Sequence, residues 1–192
     1  MTLIVAWRDP FCMVSDDAET GLFGGKSSTG SKKIRSISDT LAIGLAGHGS
    51  SFEEVVKRVR GVLPAASWRS LEMKTQAIID DINHRTDVHE RWVTVVIAGT
   101  VGGERDSFDS GPEAARRAGG TALGQPYVFA GSGGVHASAA RAIASRWRRK
   151  VTGEKLLAMI AEVAAETDYF TEKPFWRIDL VDGVTEPKIW LQ

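Results

Sequence analysis

Cysteine is almost missing from this chain: Cys12 is the only one among 192 residues. One thiol cannot form an intramolecular disulfide and is too few for a thiolate zinc site, so a reducing, cytoplasmic setting is expected. There is no excess of either charge, with 24 Lys plus Arg against 24 Asp plus Glu. That balance argues against a nucleic-acid binder held by a basic surface and against a polybasic membrane anchor, and it permits self-association. No apolar run approaches the roughly 20 residues of a membrane span, and no basic leader with an apolar stretch and a small-residue cleavage site is recognised. Repeats and low-complexity tails are lacking too. The four histidines, His48, His84, His89 and His136, show no H-E-x-x-H pairing and no partner cysteines, so neither a metal nor another cofactor is expected. The length favours one domain spanning 1–192.

Hydrophobic patterning supplies the elements. TLIVAW (2–7) and FCMVS (11–15) are β-rich runs around Arg8-Asp9-Pro10, whose Asp-Pro pair favours a turn; they predict a hairpin. Residues 19–31, glycine-rich and polar, predict a mobile loop. Strands resume at KIRSI (33–37) and TLAIGLAG (40–47). A helix is expected from Ser51, with Glu54 completing a Ser-x-x-Glu capping box and Pro64 ending the segment. A second is expected over 67–84, followed by a buried β-branched strand over 91–99. Residues 99–126 are charged and glycine-rich, with no dominant period. A strand at 127–134 running into a glycine turn, helices over 135–149 and 152–166, and a hairpin around Asp182-Gly183 complete the chain. Hairpin-paired strands imply antiparallel sheets, and paired amphipathic helices need a sheet face to cover. The expected class is therefore α+β, with two antiparallel sheets face to face and helices outside.

Several motifs fail on inspection. GLFGGKSS is similar to a phosphate-binding loop, but Gly21 is one residue too close to Gly25-Lys26-Ser27 and a polar loop follows instead of a helix. GSGG at 131–134 could cradle an anion at a helix start, although a lone glycine turn is more often only a turn. RWRRK at 146–150 fits a solvated helix end, where cations complement the dipole. Of the adjacent carboxylates Asp16 and Asp17, at most one faces a given site, because neighbours on a strand point to opposite faces.

Thr2 has a chemistry open to it. A hydroxyl is a weak nucleophile unless a base takes its proton, and a threonine whose own α-amine is that base is one solution. The amine has an unperturbed pKa of about 7.7–8.0, near working pH. Such a site requires removal of Met1, a cation near the hydroxyl, a carboxylate holding that cation and backbone N–H donors for the oxyanion. TLIVAW with MVSDD, GSKKIRSI, LAIGLAGHG, FAGSGGVHASAARAI and Asp168-x-x-Thr171, taken in this order, resemble the proteasome β-subunit family and its simpler bacterial relatives. Thr171 stands where the family has serine, and Glu172-Lys173 replace small residues.

The resemblance implies an N-terminal nucleophile hydrolase with a four-layer αββα sandwich, acting as a threonine peptidase. It assigns Thr2 as nucleophile, Lys33 as the cation, Asp16 (with Asp17 the alternative) as its carboxylate, and Gly47 as oxyanion donor. Ser132, Asp168 and Thr171 would orient amine and water, and Leu45 would lie at the substrate pocket. It also implies a homo-oligomeric ring or stacked rings, peptide or unfolded-protein substrates, and room for an ATP-dependent unfoldase partner. Two other readings stand beside it: a catalytically silent ring or scaffold subunit that keeps Met1, and an amidase for small amides.

Overall fold

The structure, a computed structural model, describes residues 3–20, 26–28, 33–47, 49–85, 93–111, 127–131, 153–168 and 171–192. Its first sheet has β1 (Ile4–Arg8), β2 (Phe11–Asp16), β9 (Tyr127–Ala130), β10 (Phe175–Asp179) and β11 (Lys188–Leu191), in the order β11-β10-β2-β1-β9. The second has β5 (Ile34–Ser36), β6 (Leu41–Gly47), β7 (Val93–Val101) and β8 (Glu104–Ser110), in that order. Every pairing within them is antiparallel. Helices α1 (Phe52–Arg60) and α2 (Trp68–His84) follow β6, and α3 (Gly153–Thr167) precedes β10. None of the described helices is long and apolar enough to cross a membrane.

Strand alternation sorts the side chains into three apolar layers. On β6 and β7, Leu41, Ile43, Leu45, Val95 and Ile97 face α1 and α2 and pack with Val55, Val59, Leu71 and Ile79. Their neighbours Ala42, Ala46, Val96 and Ala98 face the other way and meet Ile4, Ala6 and Met13 of the first sheet. On that sheet's outer face Val5, Trp7, Val14 and Phe175 meet Leu157, Ile160, Ala161 and Ala164 of α3. Each large side chain fully buried here contributes about 1.5–3 kcal/mol. The sheets approach closely at Gly44, where a Cβ would stand 2.5 Å from Ile4 Cγ2 and 3.1 Å from Met13 Sδ. Sheet on sheet with helices outside is the architecture expected from the sequence; the expected 135–149 helix lies outside the described residues.

One segment left open by the sequence is defined, and two expectations are corrected. Residues 99–126 hold a regular strand, β8, joined to β7 by Gly102-Gly103 at φ 59° and 86°. Two consecutive positive φ values between paired strands make the tight mirror-image turn that glycine adopts without strain. The 19–31 segment is not all loop, because β3 (Ala18–Thr20) pairs with β4 (Lys26–Ser28); β4 is a strand, so no phosphate-loop helix follows Lys26. The Ser51–Glu54 capping box does not form. Ser51 continues a short 3₁₀ turn at φ −89°, ψ −9° and its side chain caps nothing. An N-cap needs extended backbone, and Ser67 has it, at φ −160°, ψ 165°, where its hydroxyl accepts from the Ser70 N–H at 3.2 Å.

Candidate active site

The β1–β2 hairpin registers Ile4 with Ser15, so its open end brings Leu3 beside Asp16. The Asp16 N–H donates to the Leu3 carbonyl at 3.2 Å, and the Leu3 N–H donates back to Asp16 Oδ1 at 3.0 Å. The same Oδ1 accepts from Lys33 Nζ at 3.1 Å. Asp16 is fully buried and Lys33 is 5% exposed. A charge-assisted bond in that setting is strong, and each ion needs the other to offset its desolvation. One carboxylate therefore ties the ammonium of Lys33 to the backbone directly after residue 2. Asp17 is also buried, but its backbone N–H turns to the Glu172 carbonyl at 3.3 Å; of the two carboxylates, Asp16 is the one bonded to Lys33.

Lys33 immediately precedes β5, and its carbonyl accepts from the Leu45 N–H on β6 at 2.8 Å. Two residues on, β6 ends at Gly47, exposed and at φ 111°, a conformation that disfavours any side chain. Because N–H direction alternates along a strand, the Gly47 N–H points to the same side as that of Leu45, toward the end of β5 where Lys33 stands. Leu45 itself is fully buried in the helix-facing layer. Its side chain belongs to the core and reaches no open surface.

The end of α3 closes on the same region. The Asp168 N–H donates to the Ala164 carbonyl at 2.8 Å, and the Thr171 N–H donates to the Asp168 carbonyl at 3.1 Å. Thr171 Oγ1 then donates to Asp168 Oδ2 at 2.7 Å, both residues being buried. The Glu172 contact with Asp17 and the pairing of Phe175 with Asp16 carry this turn to the Asp16 end of β2. Asp16, Lys33, Gly47, Asp168 and Thr171 thus come from four separate parts of the chain to one end of the sandwich. Thr2 and Ser132 lie outside the described residues.

Sequence reasoning missed Asn83. In the last turn of α2, its carboxamide bonds both the N–H and the carbonyl of Val93, the residue paired with Gly47. No spacing rule marks such an asparagine; only a polar residue on the apolar stripe hints at it. Among the described residues no three His, Cys, Asp or Glu side chains gather closely enough to hold a metal, and His84 Nδ1 lies 2.7 Å from the Asp80 carbonyl within its own helix.

No family model and no curated protein sequence matches this chain. Among solved structures, the fold is similar to that of eukaryotic HslV from Trypanosoma brucei, with a TM-score of 0.66 and 20% identity over 92% of this chain and 97% of that one. HslV is a proteasome-type β subunit with the N-terminal nucleophile hydrolase fold. The likeness establishes that fold for this chain.

Proposed function

We propose that the protein is a proteasome-like threonine peptidase with Thr2 as its N-terminal nucleophile. The observation that carries this reading is the Asp16 carboxylate, bonded at once to Lys33 Nζ and to the Leu3 N–H. It supports a cation held beside the position of Thr2 in a dry, preorganised setting, where such charges act most strongly.

Once Met1 is removed, the free amine of Thr2 takes the proton from Thr2 Oγ, directly or through a water. Lys33, held by Asp16, lowers the cost of the developing alkoxide. The oxygen adds to the scissile carbonyl, and the resulting oxyanion is met by the Gly47 N–H. Collapse breaks the carbon–nitrogen bond, the leaving amine takes the proton from the Thr2 ammonium, and an acyl ester remains on Thr2. Water, deprotonated by the same amine, adds to that ester and releases the carboxylic acid product with Thr2 restored. Asp168 and Thr171, with Ser132, orient the amine and the water, and the mechanism calls for no cofactor. The reading requires Thr2 and Ser132 to continue the β1–β9 register in which Ile4 pairs with Ala130.

The same reading gives a cytoplasmic homo-oligomeric ring or stacked rings that enclose the sites, peptides or unfolded proteins as substrates, and an ATP-driven unfoldase as a partner to be sought. Leu45 is left out of the substrate contacts because of its place in the core. Treatment with a peptide epoxyketone or a β-lactone, followed by mass mapping, tests nucleophile and processing together. A single adduct on an N-terminal Thr2, lost in Thr2→Ala, is expected. Retention of Met1 on all chains, or activity surviving Thr2→Ala, would overturn the reading.

A further inference from the structure

Asn83 is a buried amide with both ends committed to one residue. Its Oδ1 accepts from the Val93 N–H at 2.8 Å, and its Nδ2 donates to the Val93 carbonyl at 3.0 Å. These are positions of the β-ladder. Bonded and non-bonded pairs alternate along antiparallel strands. The Thr100 N–H donates to the Thr40 carbonyl at 2.8 Å, so with this register the bonded pairs of β6 and β7 continue through Ala42–Ala98 and Gly44–Val96 to Ala46–Thr94. Val93 consequently turns its N–H and carbonyl away from β6, toward the side of β8. But β8 ends at Ser110, the partner of Val95. The carboxamide of Asn83 continues the ladder one step past that end.

A carbonyl and the N–H of the next residue lie antiparallel in one rigid peptide plane. The Val93 carbonyl that accepts from Asn83 therefore shares a plane with the Thr94 N–H, which donates to the Ala46 carbonyl. That carbonyl shares a plane with the Gly47 N–H, which emerges on the Lys33 side. Hydrogen bonds in such a chain polarise one another, by about 10–30% per bond. From Asn83 Nδ2 to the Gly47 N–H there are two peptide planes and no side chain between.

We propose that Asn83 is a positioning residue for the oxyanion: through Val93 and Ala46 it fixes the direction of the Gly47 N–H and strengthens it as a donor. The inference rests on the reading of Gly47 as the oxyanion donor. Asn83→Asp keeps the acceptor for the Val93 N–H and loses the donor to its carbonyl, which breaks the relay at its first bond. Asn83→Ser, uncharged and short, serves if the aspartate variant does not fold. Ile82→Val, on the same helix and in the same core, is the control for a general loss of packing.

In the full-length assembly, with a fluorogenic peptide as substrate, the Asn83 variants should lower kcat about tenfold with KM nearly unchanged. That is less than the roughly 10²–10³ lost when an oxyanion donor is deleted outright. Hydrogen exchange should speed up at the Thr94 amide, the donor to the Ala46 carbonyl, in the Asn83 variants and not in Ile82→Val. An Asn83 variant that matches Ile82→Val in both kcat and Thr94 exchange, or whose loss lies wholly in KM, would overturn the relay. Faster Thr94 exchange in a protein that no threonine-directed electrophile labels would support the relay while overturning the peptidase reading.

Discussion

Asp16 and Lys33 form a buried ion pair at 3.1 Å in which the carboxylate is fully enclosed and also anchors the Leu3 N–H. Removing one partner strands the other charge without compensation, which costs about 3–5 kcal/mol, whereas removing both charges together is far milder. Asp16→Asn and Lys33→Met should each destabilise the protein by that order, and the double variant by much less than their sum. Urea unfolding of the four proteins measures this. Additive losses would mean that the two side chains are not coupled. Both single variants should also abolish labelling by a β-lactone.

Thr171 Oγ1 is the hydroxyl that donates to Asp168 Oδ2, at 2.7 Å. Thr171→Val keeps the shape and deletes the donor from a buried carboxylate, for a loss of about 1–3 kcal/mol. Thr171→Ser should recover most of it, because the serine hydroxyl can reach the same oxygen. Equal thermal stability of the valine and serine variants would show that the hydrogen bond contributes nothing.

Glu72, on the sheet-facing side of α2, has its carboxyl pushed above the usual range by burial and then by Asp109 and Asp106, with Arg69 acting in the opposite sense. A raised carboxyl pKa means that ionisation opposes folding, so the group's contribution declines as pH rises from the unfolded value of about 4.3 to the raised one and stays low above it. Glu72→Gln should therefore melt at a higher temperature than the parent at pH 7, with the difference closing at pH 4. A difference independent of pH would assign the effect to packing instead.

Cys12 lies in the layer between the first sheet and α3, where burial pushes its thiol up to about 12. Only the thiolate is nucleophilic. Iodoacetamide at pH 8 should leave the native protein unmodified and alkylate it fully in urea, as read by intact mass. Rapid native labelling would place the thiol at the surface.

Period and turn chemistry made much of the fold legible. TLIVAW and FCMVS alternate between two apolar layers, and Asp9-Pro10 joins Arg8 to its partner Phe11. The stretch 67–84 carries a full stripe at helical spacing and a real N-cap. β8 escaped because ERDSFDS has Phe108 as its one large apolar side chain; among the described residues it pairs with β7 alone, and such a strand needs little hydrophobic pattern. Its signal was the Val101-Gly-Gly-Glu104 turn. Ser51 misled because a capping box describes residue types, while the cap itself depends on the backbone angles that the preceding turn imposes.

The candidate site divides in the same way. Asp16, Lys33, Gly47, Asp168 and Thr171 were nameable through the resemblance, because the short motifs that carry it lie in order along the chain. Which of Asp16 and Asp17 meets Lys33 depended on hairpin register, and a shift of one residue turns every side chain to the other face. That Leu45 is core, and that Asn83 completes the ladder of a strand ten residues away, required the packed layers. Local sequence determines what an element can be, because propensity and turn geometry act over a few residues. Only tertiary structure decides which buried polar groups must satisfy one another, because that accounting closes across the whole fold.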